Sequence, residues 1–477
     1  MVNITQKQYV ISAVKRDISN MKEVHLPNDI YLYIGKHLNV QYINNAKGEL
    51  MILLGNAFIT NTKNKDISED IISYFDNDIN ELVKSWTGRW LLITQNEIQI
   101  DACGLMGAFY TLGTEWCISS SLALMSQITG TKANETVSTN GLEWQLLPYT
   151  LLPNVFALFC TQKFLLKGKE LSVSFNKWIT DYSFLTTNEK VERINYILHN
   201  AIYNIGCKSN RNIWIALTGG KDSRLVLAAA IAANINFKSF TLEHDNISIS
   251  DKKIPRKIAK DLGFEHIFIK TKKTSKSLKK DYQEFCNGNS LGVDIKFYAK
   301  QQFNKIPSNA IIIRSGIFEA GQRYGRRITS SNLNCFEKNI KNYYQNSLKN
   351  QRQMEAFDKW LEYTNNNKIE FIDIRDRMYI EQRVGGWAAA IEQALCINDW
   401  NSIQIANCRE LVSILLSATE EERNNLSLSI EPIKKTHPLL HSYPYNKPTL
   451  IDKLNLIIKT LKSPIRLTNY IHRRINN

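Results

Sequence analysis

Residues 213–230 read IWIALTGGKDSRLVLAAA, an apolar run that breaks on two glycines and resumes as a second apolar run. The first run is short and rich in β-branched and aromatic residues, as a buried strand requires. The second is rich in alanine and leucine, as a buried helix requires. A strand passing into a helix through a glycine pair commits this part of the chain to an α/β layer, with the helix packed back on the sheet. Gly219 and Gly220 put no Cβ in the way, so backbone N–H groups can close on a phosphate there. The hydroxyls of Thr218 and Ser223 and the positive end of the new helix add to an anion site. Asp222 would supply a hard oxygen ligand for magnesium bridging the phosphates. The spacing is not that of the nucleotide loop G-x-x-x-x-G-K-[ST], because Ile215 stands at its first glycine and Asp222 follows Lys221.

The surrounding pattern extends the same layer. A helix is expected through VERINYILHNAIYNIG, a second strand at FKSFTLE, and a helix in DKKIPRKIAKDLG that stops at Gly263. HIFIK and AIIIRSG continue the β/α alternation, which implies a largely parallel sheet, and beyond Asn339 the pattern reads as mostly helical to the end. Ahead of a polar stretch at 183–192 the rhythm differs. YLYIG, LMILLG, RWLLIT, IQIDA, GAFYTL and WCISSS are short strands between turn residues, with one long helix expected in SEDIISYFDNDINELVKSW. The chain therefore divides into 1–184, antiparallel and sheet-rich, and 190–477, α/β with a helical end.

At 477 residues, with 43% apolar and 22% charged residues, the composition is that of a globular protein large enough for two or three domains. The cysteines are dispersed without a C-x-x-C pair, which argues against a zinc site or a disulfide framework. No run approaches the ~18 apolar residues of a membrane span, and the N-terminus lacks a signal-peptide core, so a cytoplasmic protein is expected. A net charge of +15 would suit a polyanion such as nucleic acid. Near the C-terminus, Leu454, Ile457, Ile458 and Leu461 recur at helical spacing beside Lys453, Lys459 and Lys462, as in an amphipathic helix on its own domain.

TGGKDS resembles the S-G-G-x-D-S loop of the ATP-pyrophosphatase (PP-loop) superfamily, and the order of segments resembles its asparagine-synthetase (class B) branch. The resemblance implies a Rossmann-like parallel-sheet domain that binds ATP and Mg2+ and forms an adenylate with release of pyrophosphate. It places Thr218, Gly219, Gly220, Asp222 and Ser223 on the phosphates, and Leu217, Thr241 and Leu242 where backbone reads adenine. Asp251, Ala259, Gly263 and His266 match a further segment of the same branch. IIIRSGIFEAGQRYG is similar to a second phosphate-side loop through Ser315 and Gly316, with Ile317 and Phe318 departing from it and Glu319 as the nearby carboxylate for metal or amine. YIEQR resembles an acceptor-pocket segment through Glu381 and Arg383, the latter suited to a substrate carboxylate or to an ordinary ion pair. The branch also uses a C-terminal lysine, for which Lys434, Lys435 and Lys447 stand open, with Lys435 taken as the candidate.

The first half is similar to the branch's glutaminase, which implies an N-terminal-nucleophile (Ntn) hydrolase-like antiparallel β-sandwich. It departs at the nucleophile, since the chain starts Met1, Val2, Asn3 and its first cysteine is Cys103, inside an expected strand. A degenerate glutaminase-like domain is thus expected, serving as scaffold, lid or dimer surface. Nitrogen would come from ammonia or a substrate amine, as in β-lactam synthetases and lasso-peptide cyclases. The implied activity is an ATP-dependent, AMP-forming carbon–nitrogen ligase acting on a small-molecule, peptide or glycan carboxylate. A tRNA-modifying enzyme with the same loop, a catalytically weakened nucleotide-binding protein and a homodimer remain open.

Overall fold

The computed structural model describes residues 4–76, 78–137, 142–207, 212–244, 247–271, 274–291, 304–322, 351–396 and 400–445. The expected amphipathic helix near the C-terminus, Lys447 and the end of the second loop lie outside them.

The first part is built from two antiparallel sheets of six strands each. In one, Leu50–Ile59 pairs along its length with Trp86–Ile93. In the other, Tyr9–Ser12 lies between Ile30–Gly35 and Cys117–Ser119. Alternation sends Tyr9, Ile11 and Leu32 from one sheet, and Ile52, Leu54, Leu91 and Ile98 from the other, into one shared core. The long helix expected at SEDIISYFDNDINELVKSW is instead two short ones, Ile67–Ile72 and Ile79–Val83. The reason is local: Asp66 and Asp78 each cap a separate start, and Asp78 accepts from Asn80 N at 2.9 Å.

The second part holds a five-stranded parallel sheet. Its strands are β1 (Ile213–Ala216), β2 (Lys238–Glu243), β3 (His266–Lys270), β4 (Ile311–Arg314) and β5 (Asn401–Gln404), in spatial order β3-β2-β1-β4-β5. β5 is a strand within an end expected to be mostly helical. NSIQ carries no apolar run, and its burial comes from pairing with β4 rather than from its own hydrophobicity. Helix α1 (Thr187–Cys207) packs on α2 (Lys221–Ala232) and on the strand Leu50–Ile59. Helix α3 (Ile249–Leu262) ends on Gly263 at φ +73°, a left-handed stop that glycine takes without strain.

The two parts meet across buried polar groups. Asp101 is fully buried and accepts from Leu105 N at 2.8 Å, Met106 N at 2.8 Å and Asn407 Nδ2 at 2.8 Å, while Asn407 Oδ1 accepts from Cys103 N at 2.9 Å. The turn at 101–107 is therefore plugged by an asparagine from beyond β5. Cys103 is fully buried and burial pushes its thiol well up, so it is a core residue without nucleophilic character.

Candidate functional site

In the order β3-β2-β1-β4-β5 the connections leave β1 in one direction and reach β4 in the other, so the strand order reverses between β1 and β4. The region beyond the carboxyl ends of two such strands is the usual ligand position in open α/β sheets. Both loops singled out in the sequence leave the sheet at this point, Thr218–Ser223 from β1 and Ser315–Glu319 from β4.

The first loop is braced from inside. Ser223, 3% exposed, accepts from Thr218 N at 3.1 Å, and its hydroxyl lies 3.1 Å from that of Thr218. Thr218 Oγ1 in turn accepts from Gly220 N at 3.1 Å. Gly219 N donates to Asp251 Oδ1 at 2.7 Å, in the first turn of α3, so a carboxylate of this chain already occupies that amide. A Cβ on Gly219 would lie 3.2 Å from that same oxygen, which is why the position suits glycine. Gly220 caps α2 without a side-chain hydrogen bond, leaving the first-turn amides to other partners.

Asp222 Oδ1 is buried and receives no hydrogen bond, although Lys221 Nζ lies 3.3 Å away. Burial raises the carboxyl's pKa; Lys221, then Ser429 and Gln322, oppose the rise. An unsatisfied buried carboxylate oxygen fits a hard divalent cation. No group of three or more His, Cys, Asp or Glu that could hold a metal occurs among the described residues, so magnesium here would depend on phosphate and water oxygens for its other ligands.

The second loop carries backbone strain. Ile317 sits at φ +77°, a region that costs a β-branched residue on the order of 1–3 kcal/mol, and its 3% exposure shows packing holding it there. Gly316 N donates to Gln404 Oε1 at 2.7 Å, Gln404 Nε2 donates to Glu392 Oε1 at 2.8 Å, and Arg314 Nη1 reaches the same oxygen at 2.6 Å. A Cβ at Gly316 would lie 2.7 Å from Gln404 Oε1. Gly316→Ala should therefore destabilise the chain by about 1–3 kcal/mol and weaken nucleotide binding. Denaturant unfolding and ATP titration check this, and an unchanged midpoint with unchanged affinity would refute it. Glu319 follows as the exposed residue of a short turn, Phe318–Gln322, in which Phe318, Ala320 and Gly321 are buried.

Sequence reasoning missed a buried phenol on which the charges of Glu319, Arg383 and Asp222 bear electrostatically. Tyr379 is 3% exposed, and its phenol is held far above its ordinary pKa by burial and then by Glu319 and Cys103, with Arg383 opposing and Asp222 adding to the rise. It lies on a wide π-type helix, Met378–Ala388, a rare geometry found most often at functional sites. Arg383, on the same helix, lays its guanidinium 4.5 Å from the ring centre of Trp387. No sequence pattern announces a π-helix, so YIEQR offered only its resemblance to an acceptor-pocket segment through Glu381 and Arg383.

The remaining candidates fall elsewhere. Glu381 is fully buried and pairs with Arg377 at 2.6 Å while accepting from Trp360 Nε1 at 2.7 Å, which makes it a structural carboxylate. Lys435 reaches the surface carboxylate Glu192 on α1 at 2.6 Å, and Lys434 pairs with Glu431 at 2.6 Å. Leu217 N donates to Phe240 O at 2.9 Å and its carbonyl accepts from Thr241 Oγ1 at 2.6 Å, so both its backbone groups are engaged. The β1–β2 register stops at Phe240, and Leu242 projects past it as a partly buried edge residue. His266 is held by Ser239 Oγ at 2.7 Å and Thr241 Oγ1 at 3.2 Å, with burial and then Arg256 lowering its pKa to about 4.

His266 thus binds its proton more readily unfolded than folded. Its contribution to stability is complete above the ordinary histidine pKa of about 6.5 and is lost as pH falls towards 4. His266→Gln should flatten the stability profile across that window. Parallel profiles for the two proteins would contradict this.

No family model matches the chain, and no curated protein matches it. Among solved structures it is similar to glutamine-dependent NAD+ synthetase from Acinetobacter baumannii in complex with ADP, at 15% identity and a TM-score of 0.22, covering 41% of this chain and 39% of that one. It is similar also to NMN synthetase from Francisella tularensis, at 13% identity and a TM-score of 0.23, covering 56% of this chain and 100% of that one. The chain therefore spans about two fifths of the first of these proteins, and likenesses this shallow leave the functional conclusion to the site's own geometry.

Proposed function

We propose that this chain is an asparagine-synthetase-like ligase that activates a substrate carboxylate as acyl-AMP and then forms an amide. The observation that carries the reading is the pairing, at the strand-order reversal, of a glycine-pair loop with a buried Asp222 oxygen that lacks a hydrogen bond. ATP would lie across the carboxyl ends of β1 and β4, its phosphates on the amides of Gly219 and Gly220 and the start of α2, with Thr218 and Ser223 bracing the loop. Leu217, Thr241 and Leu242 at the β1–β2 edge would take the adenine, and Gly316 would close the far side. Asp222, with Glu319 of the second loop, would hold magnesium, whose charge favours departure of pyrophosphate.

In the first step a carboxylate oxygen attacks the α-phosphorus, the bond from that phosphorus to its β-bridging oxygen breaks, and pyrophosphate leaves with the electron pair. In the second an amine attacks the acyl carbon, AMP departs, and the amine proton passes to a base near Glu319. Arg383 is suited to orient the acid, and its charge and those of Glu319 and Asp222 bear on the buried phenol of Tyr379. Lys435 would have to leave Glu192 to take part, so Lys447 remains as open a candidate as before. The buried Cys103 agrees with ammonia or a substrate amine as the nitrogen source.

Incubation with ATP, magnesium and a panel of carboxylic acids and amines tests the reading. AMP and pyrophosphate should accumulate only with an accepted acid. Formation of ADP and phosphate instead would overturn it.

A further inference from the structure

Arg224 lies in the first turn of α2, directly behind the glycine pair, and is fully buried. Its Nη1 donates to Leu440 O at 3.2 Å and Tyr443 O at 2.8 Å. Its Nη2 donates to Gly219 O at 2.7 Å and to Pro444 O, and the Tyr445 ring centre lies 4.4 Å from the guanidinium carbon. Every one of these partners is a carbonyl or a ring. Two other buried arginines contrast with it: Arg377 pairs with Glu381 at 2.6 Å and Arg423 with Asp376 at 3.1 Å. Among the described residues Arg224 has no carboxylate partner, and its Nε receives no acceptor at all.

A buried charge without a counter-ion is among the costlier things a fold can contain. Apolar residues fill α2 beyond it, from Leu225 to Ala232, and leucine or methionine at this position would avoid the cost. Retention of an arginine makes sense if its missing counter-ion arrives with a ligand. The region in front of the loop is where a polyanion would lie, and Gly219 O fixes the direction of the link. In a trans peptide the N–H points opposite the C=O, so tying Gly219 O to the guanidinium turns Gly220 N–H away from it, towards Thr218 Oγ1 at 3.1 Å.

We propose that Arg224 is the fixed positive charge of the phosphate site, compensated only when the polyphosphate of a nucleotide occupies the loop. The inference rests on the nucleotide reading above. It adds that binding strength depends on phosphate charge through a residue that stays behind the loop, so Arg224 is a positioning and electrostatic residue, not a catalytic one.

Calorimetry with adenosine, AMP, ADP and ATP, in magnesium, separates the two. If wild-type protein binds none of them, the nucleotide reading itself falls. If it binds them, Arg224→Met should leave adenosine affinity within about threefold and weaken ATP on the order of 10- to 100-fold, the loss growing with ligand charge. An equal loss for all four ligands, or none, overturns the proposal, because a merely structural arginine would not grade its effect by charge. Arg224→Lys covers the case in which methionine prevents folding. Burial lowers the pKa of a lysine ammonium, so in that variant ATP affinity should fall from pH 7.5 to about 9.5 relative to wild type while adenosine affinity holds. A ratio of variant to wild-type ATP affinity that does not change with pH overturns it equally.

Discussion

Asp222→Ala should abolish tight magnesium–ATP binding and cut pyrophosphate release on the order of 10²- to 10³-fold, the scale of losing one preorganised electrostatic contact to a developing charge. The folded protein should not suffer. Asp222 Oδ1 is a buried acceptor without a hydrogen bond, and burial raises its pKa, so the site stores a desolvation cost that alanine removes. Thermal stability without ligand is therefore expected to hold or rise while nucleotide affinity collapses. Asp222→Asn should behave alike in binding, because the amide keeps the shape and loses the charge that a divalent cation requires. A variant that loses stability and affinity together would instead make Asp222 a structural residue paired with Lys221.

The second large effect is on stability. Glu381→Ala should cost about 3–5 kcal/mol, because Arg377 would be left buried at 3% side-chain exposure without its counter-charge. Trp360 Nε1 and the Thr161 hydroxyl would lose their acceptor as well, and Thr161 belongs to the sandwich part of the chain. Urea unfolding measures the loss. If Glu381 instead bound substrate in an acceptor pocket, alanine would leave the unfolding midpoint in place and change only the apparent affinity for the acid.

The residues of the glycine-pair loop were legible in sequence because their pattern is local. Strand, glycines, acid and helix are contiguous, and the loop folds as the spacing implies, with Gly263 likewise ending α3 where expected. What escaped depends on distant partners. β5 is a strand only because β4 supplies its ladder, and NSIQ has no apolar alternation to reveal it. Tyr379 escaped because it lies on a π-helix, and nothing in YIEQR distinguishes that wider turn from one of 3.6 residues. Arg224 carries no local signal beyond its charge. Its meaning comes from carbonyls more than 200 positions away, as at Leu440 and Tyr443, which no local pattern encodes. Glu381 erred the other way: its place in E-x-R resembled a pocket residue, whereas an arginine one turn earlier claims it.

A crystal structure of the chain with magnesium and an ATP analogue carrying a methylene between the α- and β-phosphates tests the central claim most directly. The phosphates should lie between the Thr218–Ser223 loop and Gly316, with Asp222 on the metal and the Asp251 carboxylate released from Gly219 N. Nucleotide bound away from the carboxyl ends of β1 and β4, or a metal that leaves Asp222 untouched, would contradict it.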